Sequence, residues 1–207
     1  MSGFELVLIT DRRISVEPLV RRVGRLAAAG VAAVILREKD LPEPELIDLA
    51  RAVAGAARSS GARLIVNSSL AAAEAAGAWG VQLPGAIFQA HSGQARLRLF
   101  KVGVSVHSLE EAGQAQSLGA DWVLAGPVFE TSCKPGQPGR GLEFLRRLKN
   151  RLTIPLWAVG GLTPDRTAPV LAAGAGAICV RSPLLTSPEP EKTAAAYLAA
   201  GLAFFQK

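Results

Sequence analysis

The sequence predicts a single (β/α)8, or TIM, barrel, and the main reason is a phrase that recurs along the chain. Small apolar residues, a glycine and a short apolar run follow one another in AAAGVAAVILRE, EAAGAWGVQLP, QSLGADWVLAG and LAAGAGAICVRS. Each glycine fits the left-handed residue that ends a helix, and each run after it has the length of a strand buried on both faces. The 207 residues contain no linker or break in composition, which predicts one domain, residues 1–207.

Eight strands are predicted, with helices between them. In order they are Glu5–Thr10, Ala33–Leu36, Arg63–Val66, Gly80–Leu83, Val102–Val106, Trp122–Ala125, Leu156–Val159 and Ala177–Val180. Ser108 and Glu111 are spaced as a capping box that begins one helix, and Thr163–Pro164 begins another. Pro188–Phe205 is predicted to be a terminal helix that packs on the outside. A doubly wound open sheet is the alternative, but it requires a glycine-rich turn where this chain has TDRRIS.

Composition narrows the classes of partner. The chain has a net charge of +6, carried mostly by arginines at helical spacing, which indicates solvated helix faces. Nucleic acid is not expected, because no aromatic residues are interleaved with the basic ones and no nucleic-acid motif occurs. The two cysteines show no metal-ligand spacing. Neither a leader nor an apolar run of membrane-spanning length occurs, so we expect a cytoplasmic protein that does not bind membranes.

Polar residues follow nearly every predicted strand, whereas the opposite strand ends are mostly glycine, proline and alanine. In a (β/α)8 barrel the active site lies at the carboxyl ends of the strands. The residues there are Arg37, Glu38 and Lys39 after the second strand, Asn67, Ser68 and Ser69 after the third, Gln82 on the fourth, Ser105 and His107 on the fifth, the loop 130–134 after the sixth, Gly160 and Gly161 after the seventh, and Arg181 and Ser182 after the eighth. This asymmetry predicts a ligand site at that end.

The last two strand ends predict a phosphate site. Gly160 and Gly161 leave backbone N–H groups open to a ligand, and the helix that begins at Thr163–Pro164 directs its positive end the same way. Arg181 and Ser182 add a charge and a hydroxyl group. Barrels commonly bind phosphate with these two loops. The structural alternative for the two glycines is a tight turn.

A polar loop after the sixth strand is the second candidate region, since binding residues are commonly carried by loops on a rigid scaffold. It carries Glu130, Thr131, Ser132, Cys133, Lys134 and Arg140 between glycines. Arg37, Lys39 and Lys134 are predicted to face the phosphate site across the mouth of the barrel. Three cations at one cavity predict a second anionic group, either a diphosphate or a carboxylate.

Eight segments, which cover nearly the whole chain, resemble the family of thiamine phosphate synthases and TenI-type thiazole tautomerases. They are LVLITDR at 6–12, VILREK at 34–39, LIVNSS at 64–69, GVQLP at 80–84, VGVSVHSLEEA at 102–112, GADWVLAGPVFETSCKPG at 119–136, PLWAVGGLTPD at 155–165 and AGAGAICVRS at 173–182. Their shared order makes the resemblance more specific than any single motif. VQLP, SVHSLEEA, VFETSCK and GRG are more similar to the TenI branch than to the synthases.

For the synthases, the resemblance implies a barrel that joins an aminopyrimidine diphosphate to a thiazole phosphate. The positions that would hold the thiazole phosphate are Thr131, Ser132, Gly161, Arg181 and Ser182, and those that would hold the diphosphate are Arg37, Lys39, Asn67, Ser105 and Lys134. We add Gly160 to the predicted phosphate-binding residues and Gln82 to the predicted substrate-binding residues. The synthases bind Mg²⁺ through two aspartates, whose places are taken here by Ser68 and Ile87. Neither side chain is a suitable Mg²⁺ ligand, so no metal residue is assigned.

For the TenI branch, the resemblance implies isomerisation of a carboxylated thiazole phosphate, which requires an acid/base group and no metal. Pro127 stands where that branch carries its histidine. His107 is therefore the first candidate for proton transfer, because histidine titrates near neutral pH. It also fits as an anchor of the helix that begins at Ser108. Glu130 is the second catalytic candidate, and Cys133 is a weaker one.

The first hypothesis is accordingly a TenI-type thiazole tautomerase, an isomerase without metal or other cofactor. The alternative is a thiamine phosphate synthase, a transferase with Mg²⁺ as its cofactor. A non-catalytic binder of thiazole phosphate is the third hypothesis. The expected partner is a small phosphorylated substrate in each case, and a homodimer is left open.

Overall fold

The computed structural model describes residues 3–131, 136 and 138–206. Within them, eight parallel strands close into a barrel in the order of the sequence. The strands are β1 (Glu5–Ile9), β2 (Ala33–Leu36), β3 (Arg63–Asn67), β4 (Gly80–Pro84), β5 (Lys101–Val106), β6 (Trp122–Ala125), β7 (Leu156–Val159) and β8 (Ala177–Val180). Strand β1 also pairs with β8, with Val7 opposite Cys179, which closes the sheet. The predicted (β/α)8 barrel is confirmed, and the open-sheet alternative is wrong.

The predicted strand bounds agree closely with the structure. Strands β2, β6, β7 and β8 begin and end where predicted, and each of the others differs by one residue at one end. The agreement has a physical cause. Strands of a parallel barrel are buried on both faces, so most of them are apolar runs bounded by glycine or polar residues. Gln82 on β4 and Ser105 on β5 are exceptions inside their strands.

Helices form the outer layer of the barrel. They are α1 (Leu19–Ala28), α2 (Glu43–Arg58), α3 (Leu70–Ala75), α4 (Gly85–His91), α5 (Leu109–Ser117), α6 (Gly141–Arg151), α7 (Pro164–Ala172), α8 (Ser182–Thr186) and α9 (Pro190–Phe205), with a 3-10 turn at Ala95–Leu99. The short α8 was not predicted. Helix α9 begins two residues later than predicted, at Pro190 with Glu189 as its N-cap, and a proline suits a first helical position. In the part of the chain that the structure describes, no helix combines the length and apolarity needed to cross a membrane.

The predicted helix ends are confirmed at both kinds of boundary. The helix-ending glycines Gly30, Gly77, Gly119 and Gly174 have φ angles between 57° and 101°. At the start of α5, Ser108 Oγ accepts the backbone N–H of Glu111 at 3.1 Å. The Glu111 carboxylate accepts the backbone N–H of His107 at 2.5 Å. The Ser108 bond satisfies an N–H group that a helix start leaves without a partner. The Glu111 bond goes to the residue before the cap and holds His107 at the end of β5.

The barrel interior is a packed core in which large and small residues face each other. The interior cluster contains Val7, Ile9, Ala33, Ile35, Ile65, Trp122, Leu124, Trp157, Ala177 and Cys179. The rings of Trp122 and Trp157 stack with their centroids 4.6 Å apart. Gly103 faces them, and a Cβ atom there would lie 2.1 Å from Trp122. The absence of a side chain at Gly103 therefore makes room for the indole ring, as the layered packing of such barrels requires.

Helix α9 supports the loop after β7 through Tyr197. The Tyr197 side chain is fully buried, and its hydroxyl donates a hydrogen bond to the carbonyl oxygen of Leu162 at 2.7 Å. Burial, with a smaller contribution from Asp165, raises the pKa of Tyr197 to about 12. The hydroxyl therefore keeps its proton and remains a donor at neutral pH.

We expect Tyr197→Phe to lower the free energy of unfolding by about 1–2 kcal/mol, because the Leu162 carbonyl loses a buried partner. Urea unfolding followed by circular dichroism measures this change. Ser117→Ala is the control, since its exposed hydroxyl also donates to a backbone carbonyl, that of Gln114, at 2.9 Å. The control is expected to change stability by less than about 0.5 kcal/mol. Equal effects of the two substitutions would contradict the supporting role of Tyr197.

Candidate functional site

Three neighbouring strands bring predicted binding residues together at the carboxyl end of the barrel. Asn67 ends β3 and is in register with Gln82 on β4, and Ser105 lies on β5 opposite Pro84. Gln82 Nε2 donates a hydrogen bond to Ser105 Oγ at 3.1 Å. Asn67 Nδ2 donates one to Ser68 Oγ at 2.9 Å. These residues form one side of the mouth, as predicted from the strand ends.

Gln82 differs from the other predicted substrate-binding residues because it is almost completely buried. It is 1% exposed, and its Oε1 accepts the indole N–H of Trp122 at 3.0 Å. Both ends of the amide are therefore bonded within the protein. Gln82 joins the tryptophan core to Ser105 at the mouth, and its direct contact with a ligand stays a prediction.

Glu38 joins the ends of β1 and β2. Its carboxylate is buried and accepts hydrogen bonds from Thr10 Oγ1 at 2.6 Å and from the backbone N–H of Arg12 at 3.0 and 3.1 Å. Thr10 Oγ1 in turn accepts the backbone N–H of Arg37 at 2.9 Å. The backbone of Arg37 is thereby held in place at the mouth. Its side chain is half-buried, whereas Lys39 is exposed.

Asp11 places a buried carboxylate beside Arg181, a predicted phosphate residue. Asp11 is 4% exposed. Its Oδ2 lies 3.4 Å from Arg181 Nη1, and its Oδ1 lies 3.1 Å from Arg13 Nε. Burial by itself would raise the pKa of the Asp11 carboxyl, but the hydrogen bond and charge of Arg13 and the charge of Arg181 outweigh it and lower that pKa. Asp11 is therefore ionised at neutral pH. It was not predicted, although its place directly after the first strand, in LVLITDR, could have indicated it.

The glycines after β7 allow the loops after β6 and β7 to meet. Gly160 and Gly161 have φ angles of 101° and 63°. A Cβ atom on Gly161 would lie 2.5 Å from the carbonyl oxygen of Glu130 and 2.7 Å from Phe129 Cβ. Arg166 of α7 donates to the Gly161 carbonyl at 2.7 Å. The tight turn is therefore present, and the phosphate contacts of the two glycines stay a prediction.

His107 links two strand ends. It is exposed, and its Nδ1 lies 2.9 Å from the carbonyl oxygen of Gly126, directly before Pro127. Because a carbonyl oxygen only accepts, Nδ1 carries the proton in this contact, and Nε2 is the acceptor nitrogen of the neutral ring. This bond joins His107 to the end of β6, and the backbone N–H of His107 is bonded to Glu111 at the start of α5. Its role in proton transfer stays a prediction.

The remaining predicted residues belong to the loops at the same end. Glu130 and Thr131 follow β6, and Arg181 and Ser182 follow β8. Glu130 is exposed, and the other three are half-buried. The positions that lie outside the described residues are Ser132, Cys133 and Lys134. The structure thus brings every described residue of the predicted site to the carboxyl end of the barrel.

The described residues at this end do not make up a divalent metal site. Among the described residues, no three Asp, Glu, His or Cys side chains are grouped so that they could hold a metal ion. Ser68 and Ile87 stand at the two places where the synthases carry aspartates, and Ile87 is 40% exposed on α4. The carboxylates of Asp11 and Glu38 are bound by arginines or by the backbone. Mg²⁺ prefers free carboxylate oxygens and water.

A cavity of about 520 Å³ lies at the opposite, amino-terminal end of the barrel. Its lining includes Phe4, Trp79, Trp122 and Trp157, together with the charged residues Glu5, Arg63, Lys101 and Asp121. The charged residues pair with each other, at 2.6 Å between Glu5 and Arg63 and at 2.7 Å between Lys101 and Asp121. In (β/α)8 enzymes this face contributes to stability, so the functional site is assigned to the carboxyl end.

The chain is similar to proteins of thiamine biosynthesis over most of its length. The TMP-TENI family model, described as thiamine monophosphate synthase, matches residues 6–184. The thiamine-phosphate synthase of Methanoculleus marisnigri is 39% identical over 199 residues, 94% of this chain and 92% of that protein. That of Methanoregula boonei is 37% identical over 197 residues, 89% of this chain and 87% of that protein. The solved structure of thiamine phosphate pyrophosphorylase from Pyrococcus furiosus is 29% identical, with a TM-score of 0.85 over 98% of both chains.

Proposed function

This chain belongs to the thiamine monophosphate synthase (TMP-TENI) family, and we propose that it joins an aminopyrimidine diphosphate to a thiazole phosphate, with release of pyrophosphate. The observation that carries the proposal is the 37–39% identity, over about nine-tenths of the chain, to proteins named thiamine-phosphate synthase. The relatives' names favour this alternative over the tautomerase that the motifs had placed first.

The described cations suit two phosphorylated substrates. Arg37 follows β2 and Arg181 follows β8, and β1 lies between these strands in the barrel. Guanidinium groups bind phosphate oxygens in pairs of parallel hydrogen bonds. In the proposed arrangement, Arg181 and Ser182 hold the thiazole phosphate, whereas Arg37 holds the diphosphate together with Asn67 on the neighbouring strand β3 and Ser105 on β5.

The reaction breaks the bond between the pyrimidine methylene carbon and the diphosphate, and the thiazole ring nitrogen forms a bond to that carbon. Negative charge accumulates on the departing diphosphate, so a cation beside it stabilises the transition state more than the ground state. Arg37 is proposed for this role because Thr10 holds its backbone at the mouth. No step is assigned to a divalent metal, because Ser68 and Ile87 do not supply its ligands.

The test is formation of thiamine phosphate by the purified protein, followed by chromatography of the product and by measurement of released pyrophosphate. We expect equal amounts of both, and we expect turnover with EDTA to lie within about threefold of that with Mg²⁺, because carboxylate ligands are missing. If product forms only with Mg²⁺, the synthase activity is upheld, but the proposal that the reaction needs no divalent metal is overturned. Absence of product under both conditions would overturn the proposed function.

A TenI-type thiazole tautomerase is the second candidate, favoured by the poor fit of the mouth to a divalent metal. Proton transfer in a carboxylated thiazole phosphate needs only an acid/base group beside the bound phosphate, and His107 with its acceptor Nε2 is the candidate group. NMR of the carboxylated tautomer with the protein tests it. If the protein converts the tautomer and forms no thiamine phosphate, the tautomerase replaces the synthase as the proposed function. A large gain in the rate of conversion in Pro127→His would show that the wild-type protein lacks the base. Binding of thiazole phosphate without either reaction indicates a non-catalytic binder.

A further inference from the structure

Asp11 is a buried carboxylate at the carboxyl end of the barrel that the proposed chemistry does not use. Strands β1 and β8 are paired up to Leu8 and Val180, so the chain leaving β1 runs beside the chain leaving β8. This pairing brings Asp11 to Arg181, at 3.4 Å. The Asp11 side chain is 6% exposed and that of Arg181 is 24% exposed. Solvent therefore screens this ion pair much less than it screens a pair on the surface.

A carboxylate beside an anion site needs an explanation, because it repels the anion by Coulomb's law. In this position it also has a second effect. Arg13 and Arg181 both contact the Asp11 carboxylate, at 3.1 and 3.4 Å. Without Asp11 these two guanidinium groups would repel each other, and Arg181 would lose a buried partner that limits its rotamers.

We propose that Asp11 is a positioning residue, which orients the Arg181 guanidinium toward the phosphate group of the thiazole substrate. This inference rests on the proposed phosphate site at Arg181. A guanidinium that is already oriented loses less side-chain freedom when it binds a phosphate. Asp11 thus has two effects on phosphate affinity. By orienting Arg181 it raises the affinity more than its negative charge lowers it.

The two effects of Asp11 have opposite signs, which makes the inference testable. Asp11→Asn and Asp40→Asn each remove one negative charge from the same end of the barrel. Asp40 is the matched control, since it pairs with Arg12 at 2.8 and 2.9 Å and not with Arg181. If Asp11 acted only through its charge, both substitutions would strengthen phosphate binding. If Asp11 orients Arg181, Asp11→Asn weakens phosphate binding. Asp40→Asn then leaves phosphate binding unchanged or strengthens it.

The experiment titrates the purified variants with inorganic phosphate and follows the phosphorus NMR line width. We expect binding about tenfold weaker in Asp11→Asn and within about twofold of the wild type in Asp40→Asn. In the background of Arg181→Met, Asp11→Asn is expected to cause no further loss, because the residue through which it acts is gone. Asp11→Glu serves as a second variant that keeps the charge and displaces the carboxylate. It is also expected to weaken binding, which a pure charge effect would not do.

Each outcome decides the inference. Wild-type protein that does not bind phosphate would overturn the proposed site and this inference with it. If Arg181→Met loses binding while Asp11→Asn binds as tightly as the wild type or more tightly, only the positioning role of Asp11 is overturned. Melting temperatures of the variants show whether a loss of binding comes from unfolding, and Asp11→Glu then replaces Asp11→Asn as the deciding variant.

Discussion

Gly103→Val is expected to lower the free energy of unfolding by about 3 kcal/mol or more, because it overpacks the centre of the barrel. A Cβ atom at Gly103 would lie 2.1 Å from Trp122 and 2.3 Å from Gln82 Oε1. The Gln82 amide could turn aside, but Trp122 is held between Trp79 and Trp157, at centroid distances of 5.5 and 4.6 Å. The strand would have to move, and with it Ser105 at the mouth.

Urea unfolding followed by tryptophan fluorescence measures this effect, since all three tryptophans of the chain belong to the stack. Gly55→Ala is the control. Gly55 is exposed near the C-terminal end of α2, three residues before Arg58, and a Cβ atom there meets nothing within 4 Å. Alanine is expected to stabilise the helix by about 0.5–1 kcal/mol. A Gly103→Val variant as stable as the wild type would show that the tryptophan stack is not the packed centre of the barrel.

Arg37→Met is expected to reduce kcat of thiamine phosphate formation by about a factor of 100–1,000, the usual loss on removing one group that stabilises transition-state charge. Methionine keeps the length and apolar character of the side chain and removes the charge. The loss is expected in kcat more than in KM, because the diphosphate gains charge at this end as its bond to carbon breaks. Steady-state kinetics with the diphosphate substrate varied measures both parameters.

Arg146→Met is the matched control for Arg37→Met. Arg146 lies on α6 with a side chain that is 54% exposed, and it pairs with Glu143 on the same helix at 3.3 Å. The same change of charge at this place is expected to leave kcat within about twofold of the wild type, since exposed charges are screened. If the two substitutions reduce kcat equally, Arg37 acts only through the net charge and does not contact the leaving group.

Much of the site was predictable because a barrel gathers its strand ends. Arg37, Asn67, Ser105 and Arg181 are indicated both by their places at the ends of predicted strands and by the family resemblance, and the structure brings them to one end. Their strands are recognisable from local sequence, since each is a short, mainly apolar segment that begins or ends at glycine or a polar residue. Closure of the barrel then placed residues more than a hundred positions apart at the same mouth.

The partners of these side chains were not predictable from the sequence. Gln82 was chosen as a substrate-binding residue, yet its amide is bonded to Trp122 and Ser105. His107 was chosen as an acid/base group, and its Nδ1 is bonded to a carbonyl of the next strand end. The place of Asp11 after the first strand indicates a residue of the mouth, but nothing near it in sequence indicates that Arg181 lies beside it. Each of these contacts depends on the register between strands.

The sequence by itself determined the (β/α)8 barrel, the bounds of its strands to within one residue, the capping box of α5 and membership of the family. These features depend on local patterns of apolar residues, glycines and helix caps, or on motifs in a fixed order. Only the tertiary structure decided which polar groups are bonded within the protein and which face the mouth. The physical reason is that hydrogen bonds and ion pairs act over a few ångströms, and which residues come that close is set by the closure and register of the barrel.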